Sequence, residues 1–319
     1  MPDQTPNASP DPALPAAAQV AAAPAAPAPM DAPMDLPLDA LVAAPVAAPL
    51  DLAALRAEID RIDDAMHDLL MRRAGISATM AASRVKGTAA TFRPAREATI
   101  LRRLLARHAG PLPREVLVRL WRDIIASSLA QQGAFSMAVQ GGAEGAAARF
   151  ARGHFGLLTP MKLLPTPSRV LAAVAGGEAS VAILPAPEEG EPAEAAWWMQ
   201  MEAPRLQVVA GLPFLTGREG AEPRAFAIAP IAPEASGQDR TLLRLEPAPE
   251  HSRARITAAF AAAGLPPRWL LRRDLPAPMA LAEVEGFLTP DDPRLAALPF
   301  PRIQILGAYA EPVTEDPAP

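Results

Sequence analysis

Between Leu52 and about Lys86, apolar residues recur at helical spacing: Leu52, Leu55, Ile59, Ile62, Met66, Leu69 and Leu70, then Ile76 and Met80. No proline interrupts the run, and Gly75 is its one weak point, costing about 1 kcal/mol relative to Ala. A helix of about 35 residues is about 50 Å long, more than a domain this small covers alone, so the pattern implies a partner helix or a dimer. Gly87–Phe92 breaks it. Pro94 suits the first turn of a second helix running to about Arg107, HAGPL is a turn, and Pro113 opens a third helix ending near Gly133.

Beyond residue 137 the period changes. Short apolar or alternating runs (SMAVQ, RVLAAVAGG, SVAILPAP, LQVVAGLPFL, AFAIAPIAP, RTLLRLEP, RIQILGAY) are separated by Pro and Gly. Helical candidates are Gly145–Gly153, Ser168–Ala175, His251–Ala263 and Pro278–Glu283. The expected class is mixed α/β. Before residue 51 there is no period at all. Twelve of the 39 prolines lie in residues 1–51, in a Pro/Ala low-complexity segment that favours extended chain over a packed core. Residues 1–50 therefore read as a disordered tail.

Charge sharpens this division. Residues 1–51 carry six Asp and no cation. Residues 52–136 hold fourteen Lys/Arg against eight Asp/Glu, and residues 137–319 hold sixteen against twenty-one. A basic helical block inside a chain of net charge −5 points to an anionic ligand there. The absence of Cys excludes disulfides, thiolate metal sites and a Cys nucleophile, and four His without HExxH-like spacing lend a metal no support. No apolar run reaches the roughly 18 residues of a membrane span. No cation precedes residue 51, so a signal peptide is not expected, and the expected location is the cytoplasm.

At about 100° per residue, Arg73 and Arg84 fall within about 20° of one another on the first helix, whereas Arg56 sits about 100° away from Arg73. Arg56 thus points away from a site that Arg73 and Arg84 could share, and could serve an equivalent site on a partner chain. Ser128 and Gln132, four residues apart, form one polar stripe on the third helix among Ile124, Ile125 and Leu129.

Taken together, LAALRAEIDRIDDAMHDLLMRRAGI, FRPAREATILRRLL and VRLWRDIIASSLAQQ resemble the all-helical chorismate mutase family over about residues 51–135. The most specific features are Leu-x-x-Leu-Arg before an Ile-Asp pair, Arg-Pro-x-Arg-Glu opening the second helix, and Ser-x-x-x-Gln on the third. The resemblance implies an intertwined homodimer through the long N-terminal helix, with Arg56 reaching into the partner's site. It makes Arg73 a carboxylate clamp. Arg84 falls where the family has a lysine on the carboxylate and ether oxygen. Either Arg84 substitutes, the favoured reading, or the helix end shifts to present Lys86. Arg96 and Glu97 match the Arg-Glu pair whose glutamate accepts the substrate hydroxyl. Ser128 and Gln132 match the third-helix serine and the ether-oxygen donor. Where some members carry Asp, this chain has Arg93, so that hydroxyl contact is not inherited.

The implied activity is the [3,3] rearrangement of chorismate to prephenate in aromatic amino-acid synthesis. It needs no cofactor, metal or proton transfer, and cations with a neutral donor stabilise charge developing on the ether oxygen. Nucleic acid is not an expected partner, because the block lacks interleaved aromatics and its ridge of Asp60, Asp63, Asp64 and Asp68 would repel phosphate. A non-catalytic helical dimerisation or regulatory protein is the alternative.

The motif order after residue 137 resembles a prephenate dehydratase followed by an ACT-like unit. AAARFARGHFG and SVAILPAPEEGE stand for the opening lobe, PRAFAIAP for the catalytic Thr-Arg-Phe motif, and RIQILGAYAEP for the Leu-Gly-Ser-Tyr ending. Pro223 occupies the place of the threonine, and only about 35 residues separate the two dehydratase motifs, too few for a second lobe. The expectation is a multidomain protein: disordered tail (1–50), all-α three-helix module (51–136), and a mixed α/β C-terminal domain (137–319), smaller than those dehydratases. That domain is expected to be a degenerate scaffold, regulatory or engaged with a downstream enzyme; a bifunctional mutase/dehydratase is the competing reading. Trp197 and Trp198 are expected to pack in the core rather than to form an exposed anchor.

Overall fold

The computed structural model describes residues 51–83, 92–217 and 222–315. The expected tail, Arg84 and Lys86 lie outside the described residues. The chain divides into two units, Met1–Asp60 and Arg61–Pro319. Helix α1 (Leu52–Ala82) begins in the first and continues into the second; Asp51 accepts from the Ala53 N–H at 3.0 Å at its start.

In the second unit α1 is followed by α2 (Pro94–Arg107) and α3 (Arg114–Gln132). Pro94 occupies the first turn of α2, where a missing N–H costs nothing, and Gly133 ends α3. Then come β1 (Met137–Gln140), α4 (Ala146–Phe155), β2 (Met161–Leu164), α5 (Pro167–Ala175), β3 (Val181–Pro185), α6 (Trp197–Gln200), β4 (Gln207–Leu212), β5 (Leu215–Thr216) and β6 (Ala225–Ala229). The chain closes with β7 (Asp239–Leu245), α7 (Arg253–Ala262), β8 (Pro267–Arg273), β9 (Met279–Glu285), α8 (Pro293–Ala296), β10 (Ile303–Ala310) and β11 (Val313–Thr314).

Nine strands form one mixed sheet in the order β2-β1-β3-β6-β4-β10-β7-β9-β8. Its last four strands are antiparallel neighbours built from a β-α-β-β-α-β run. They join the first five where β10 runs parallel to β4 through Gly307 and Val208. That crossing demands glycine: Gly307 has φ +146°, and a Cβ there would lie 2.1 Å from the Val208 carbonyl oxygen. A buried polar network spans the same region. Arg240 pairs with Glu283 at 3.4 Å and with Glu311 at 2.8 Å, and the Tyr309 hydroxyl donates to Glu283.

Pro278–Glu283 is not a helix, as its Ala, Leu and Glu content suggests: from Met279 on it belongs to β9, paired on both sides by β7 and β8. Propensity yields here to two flanking ladders that bury Ala280, Leu281, Ala282 and Val284. Trp197 and Trp198 are buried in the core, their indole N–H groups donating to Pro185 O and Glu191 Oε1, each at 2.9 Å. The stretch from residue 186 to 224 holds only α6, β4 and β5 among its described residues.

Helix α2 lies on this sheet. Ala98, Leu101 and Leu105 pack with Leu117 and Val118 of α3 and with Phe214, while Leu215, Ala310 and Val313 close the edge. Polar contacts fasten it further. Arg93 forms a forked pair with Glu234, and Arg102 donates to Ser236 Oγ at 2.9 Å, Gln238 O at 2.7 Å and Glu311 O at 2.8 Å. In α1 only Ser77 is buried.

Candidate active site on the helical segment

The end of α1 meets α3 at one polar point. Arg73 Nη1 donates to Ser128 Oγ at 2.7 Å and reaches Ile124 O at 3.4 Å, while Ser77 Oγ lies 3.4 Å from Ser128 Oγ. One turn on, Gln132 Nε2 donates to Ser128 O at 3.0 Å. The i, i+4 spacing that put Ser128 and Gln132 on one stripe thus places Gln132 beside Ser128, the Arg73 guanidinium's partner. Arg73 is half-buried, and desolvation lowers its pKa from the ordinary arginine value. Among the described residues no carboxylate pairs with it. A half-buried cation answered only by a hydroxyl and a carbonyl leaves its charge available to an anionic ligand.

The other expected site residues are placed differently. Arg56, in the first unit, and Arg96 are both exposed. Glu97 faces the α2–α3 interface, where Arg122 Nη1 pairs with its Oε2 at 2.8 Å; only 6% of Glu97 and 3% of Arg122 is exposed. Burial raises the Glu97 pKa and lowers that of Arg122, while the attraction between them opposes both shifts. Arg122 also lies over the Phe214 ring, 5.5 Å from its centre. Arg73 therefore contacts Ser128 directly and Gln132 only adjoins that pair through Ser128 O, whereas Glu97 is engaged by Arg122.

Two residues of this arrangement escape a reading of the sequence alone. Ser77 stands four after Arg73 on α1, a spacing that carries the signal. Arg122 is twenty-five residues from Glu97, and nothing local marks the pair. Among the described residues no cluster of His, Asp or Glu is arranged to hold a metal ion, and no helix is long and apolar enough to cross a membrane.

Residues 55–133 match the family model of chorismate mutase type II. The chain is 32% identical over 139 residues to the bifunctional chorismate mutase/prephenate dehydratase of Stutzerimonas stutzeri, a match covering 42% of this chain and 38% of that protein. It is 35% identical over 111 residues to the protein of the same description from Neisseria gonorrhoeae, covering 35% and 30%. The chain thus spans less than two-fifths of the length of these relatives. Among solved structures, GqqA, described as a novel type of quorum quenching acylase, aligns at 20% identity and TM-score 0.43 over 56% of this chain and 96% of that one. The prephenate dehydratase of Streptococcus mutans aligns at 17% identity and TM-score 0.42, over 57% and 100%. The resemblance carried by the Leu-x-x-Leu-Arg, Arg-Pro-x-Arg-Glu and Ser-x-x-x-Gln motifs is borne out: the helical segment matches the type II chorismate mutase family.

Proposed function

We propose that this chain is a chorismate mutase, converting chorismate to prephenate without a cofactor. The observation that carries the reading is the half-buried Arg73, free of any carboxylate among the described residues and set against Ser128, one turn from Gln132. In this reading Arg73 clamps a substrate carboxylate, Gln132 turns from its own helix to donate to the ether oxygen, and Arg84 or Lys86 supplies the second cation there. Arg96 and Glu97 are the family-matched pair on α2, and Glu97 would have to leave its buried pair with Arg122 to accept the substrate hydroxyl. Preorganised donors aimed at the breaking C–O bond stabilise the transition state more than the ground state, and holding both carboxylates selects the compact reactive conformer.

The site is completed in a homodimer through α1. Ile62, Met66, Leu69, Ile76 and Met80 are all exposed on one face of that helix, a stripe that requires a partner surface. Arg56 then belongs to the partner's site. Loss of dehydratase chemistry is part of the same reading: Pro223, in the place of the threonine, is buried and closely packed against Gly211.

Chorismate consumption with product identification tests this. Prephenate is the expected product, and Arg73→Ala or Gln132→Ala should each lower kcat/KM by about 10²–10³-fold with helicity retained. Mixing Arg56→Ala with Arg73→Ala chains should restore part of the activity. Prephenate given to the full chain should yield no phenylpyruvate above background. Intact protein that leaves chorismate unchanged overturns the proposal.

A further inference from the structure

A cavity of about 420 Å³ opens between α3 and α4 beneath the β4–β5 connection. Its walls combine an apolar floor with charge. Val118, Phe150, Leu157 and Phe214 line it, beside Arg119, Arg149 and Arg152. Arg149 and Arg152 are steadied by donating to Glu144 O at 2.7 Å and Ala143 O at 3.0 Å, and no carboxylate pairs with either among the described residues. Arg119 is exposed and has no partner among the described residues. The buried Arg122 also reaches this cavity, but Glu97 already neutralises it.

His154 sets this cavity apart from an ordinary crevice. It is 6% exposed, lines the cavity, and both of its ring nitrogens are shielded from solvent without a hydrogen-bond partner. Buried polar atoms in folded proteins are nearly always paired, so an unpaired imidazole at a cavity wall signals a missing partner. Burial and the nearby Arg122 keep it neutral, leaving one N–H to donate and one nitrogen to accept.

We propose that this cavity is a binding site for a small aromatic monocarboxylate, distinct from the Arg73–Ser128 site. The floor of Phe150, Phe214 and Val118 takes the ring, Arg119 takes the carboxylate in a forked pair, and His154, turning its shielded ring toward the cavity, donates its one N–H to the same carboxylate. Charge selects a single negative charge: the three unneutralised arginines exceed the two acids of the rim, Glu115 and Asp123, by one.

Calorimetric titration of the full chain with 3-phenylpropanoate tests the assignment. Saturable binding is expected, with 3-phenylpropanamide at least about tenfold weaker because it cannot form the charged pair. Arg119→Gln, a surface change that leaves the fold intact, should weaken the carboxylate by at least about tenfold, and His154→Leu by a smaller factor. Arg73→Ala should bind as tightly as the parent chain. Absence of binding, equal affinity for acid and amide, indifference to Arg119→Gln, or loss of binding in Arg73→Ala would each overturn it, the last by placing the ligand at the α1–α3 site. Because none of these readouts uses chorismate turnover, failure here is separable from failure of the mutase reading.

Discussion

Helices α1 and α2 carry the same kind of apolar pattern and meet opposite fates. In α2, Leu101 is fully buried, and the helix rests on α3, Phe214 and the edge of the sheet, with Arg93 and Arg102 fastened at its side. In α1, Leu69 is 65% exposed, and its neighbours in the stripe are exposed as well. An amphipathic helix states that a partner surface is needed; it does not state which chain provides it. The α/β domain provides it for α2. For α1 the proposed second copy would, so the domain that has no part in the proposed chemistry holds half of the proposed site in position.

The severest way to break the α2 arrangement is to spoil the sheet beneath it. Gly307→Ala places a Cβ into the Val208 backbone at a positive φ, and should destabilise the chain by more than about 3 kcal/mol. Chemical denaturation followed by circular dichroism measures this, with a retained parent-like midpoint the contrary result. A paired truncation tests the two helices directly. Leu101→Ala should cost about 2–5 kcal/mol at any protein concentration. Leu69→Ala should cost under about 0.5 kcal/mol in dilute solution, and should show its effect as weaker self-association in sedimentation.

A smaller effect comes from His154, behind the α2–α3 pair. Its folded-state pKa lies well below the ordinary 6.5, through burial first and Arg122 second. Below about pH 6.5 the unfolded chain takes up a proton that the native state refuses, so stability is complete above that pH and falls as the medium is acidified. Melting temperatures at pH 7 and 5.5 should diverge less in His154→Leu than in the parent chain. Least of all should be Arg93→Ala. It removes a forked pair with Glu234 in which both side chains are about half exposed, worth at most about 1 kcal/mol, and diminishing with added salt.

How much of this was readable beforehand varies by element. The bounds of α2 and α3 were legible, because Pro94, Pro113 and Gly133 punctuate them and punctuation is local. The strand β9 is not legible, since MALAEVE is rich in good helix formers and only its two neighbours, each reached through a loop, impose the extended form. Strands β2 and β8 carry no clear signal in the sequence; each sits at an edge of the sheet, half-exposed, with a blurred pattern. Within the candidate site, the Ser128–Gln132 stripe came from helical spacing. The Glu97–Arg122 pair did not, and it decides that Glu97 faces the α2–α3 interface.

Periodicity, punctuation and charge density determine, from the sequence alone, a basic three-helix segment with Arg73, Ser128 and Gln132 at spacings that can converge, followed by an α/β region. These are properties of residues within a few turns of each other, where backbone geometry sets the neighbours. Tertiary structure alone decided which helix finds its partner within the chain, that β10 joins β4 through a single glycine, and that Arg119 and His154 share one cavity wall. Each of those rests on contacts between segments distant in sequence, whose pairing is settled by the packing of the whole core rather than by any local signal.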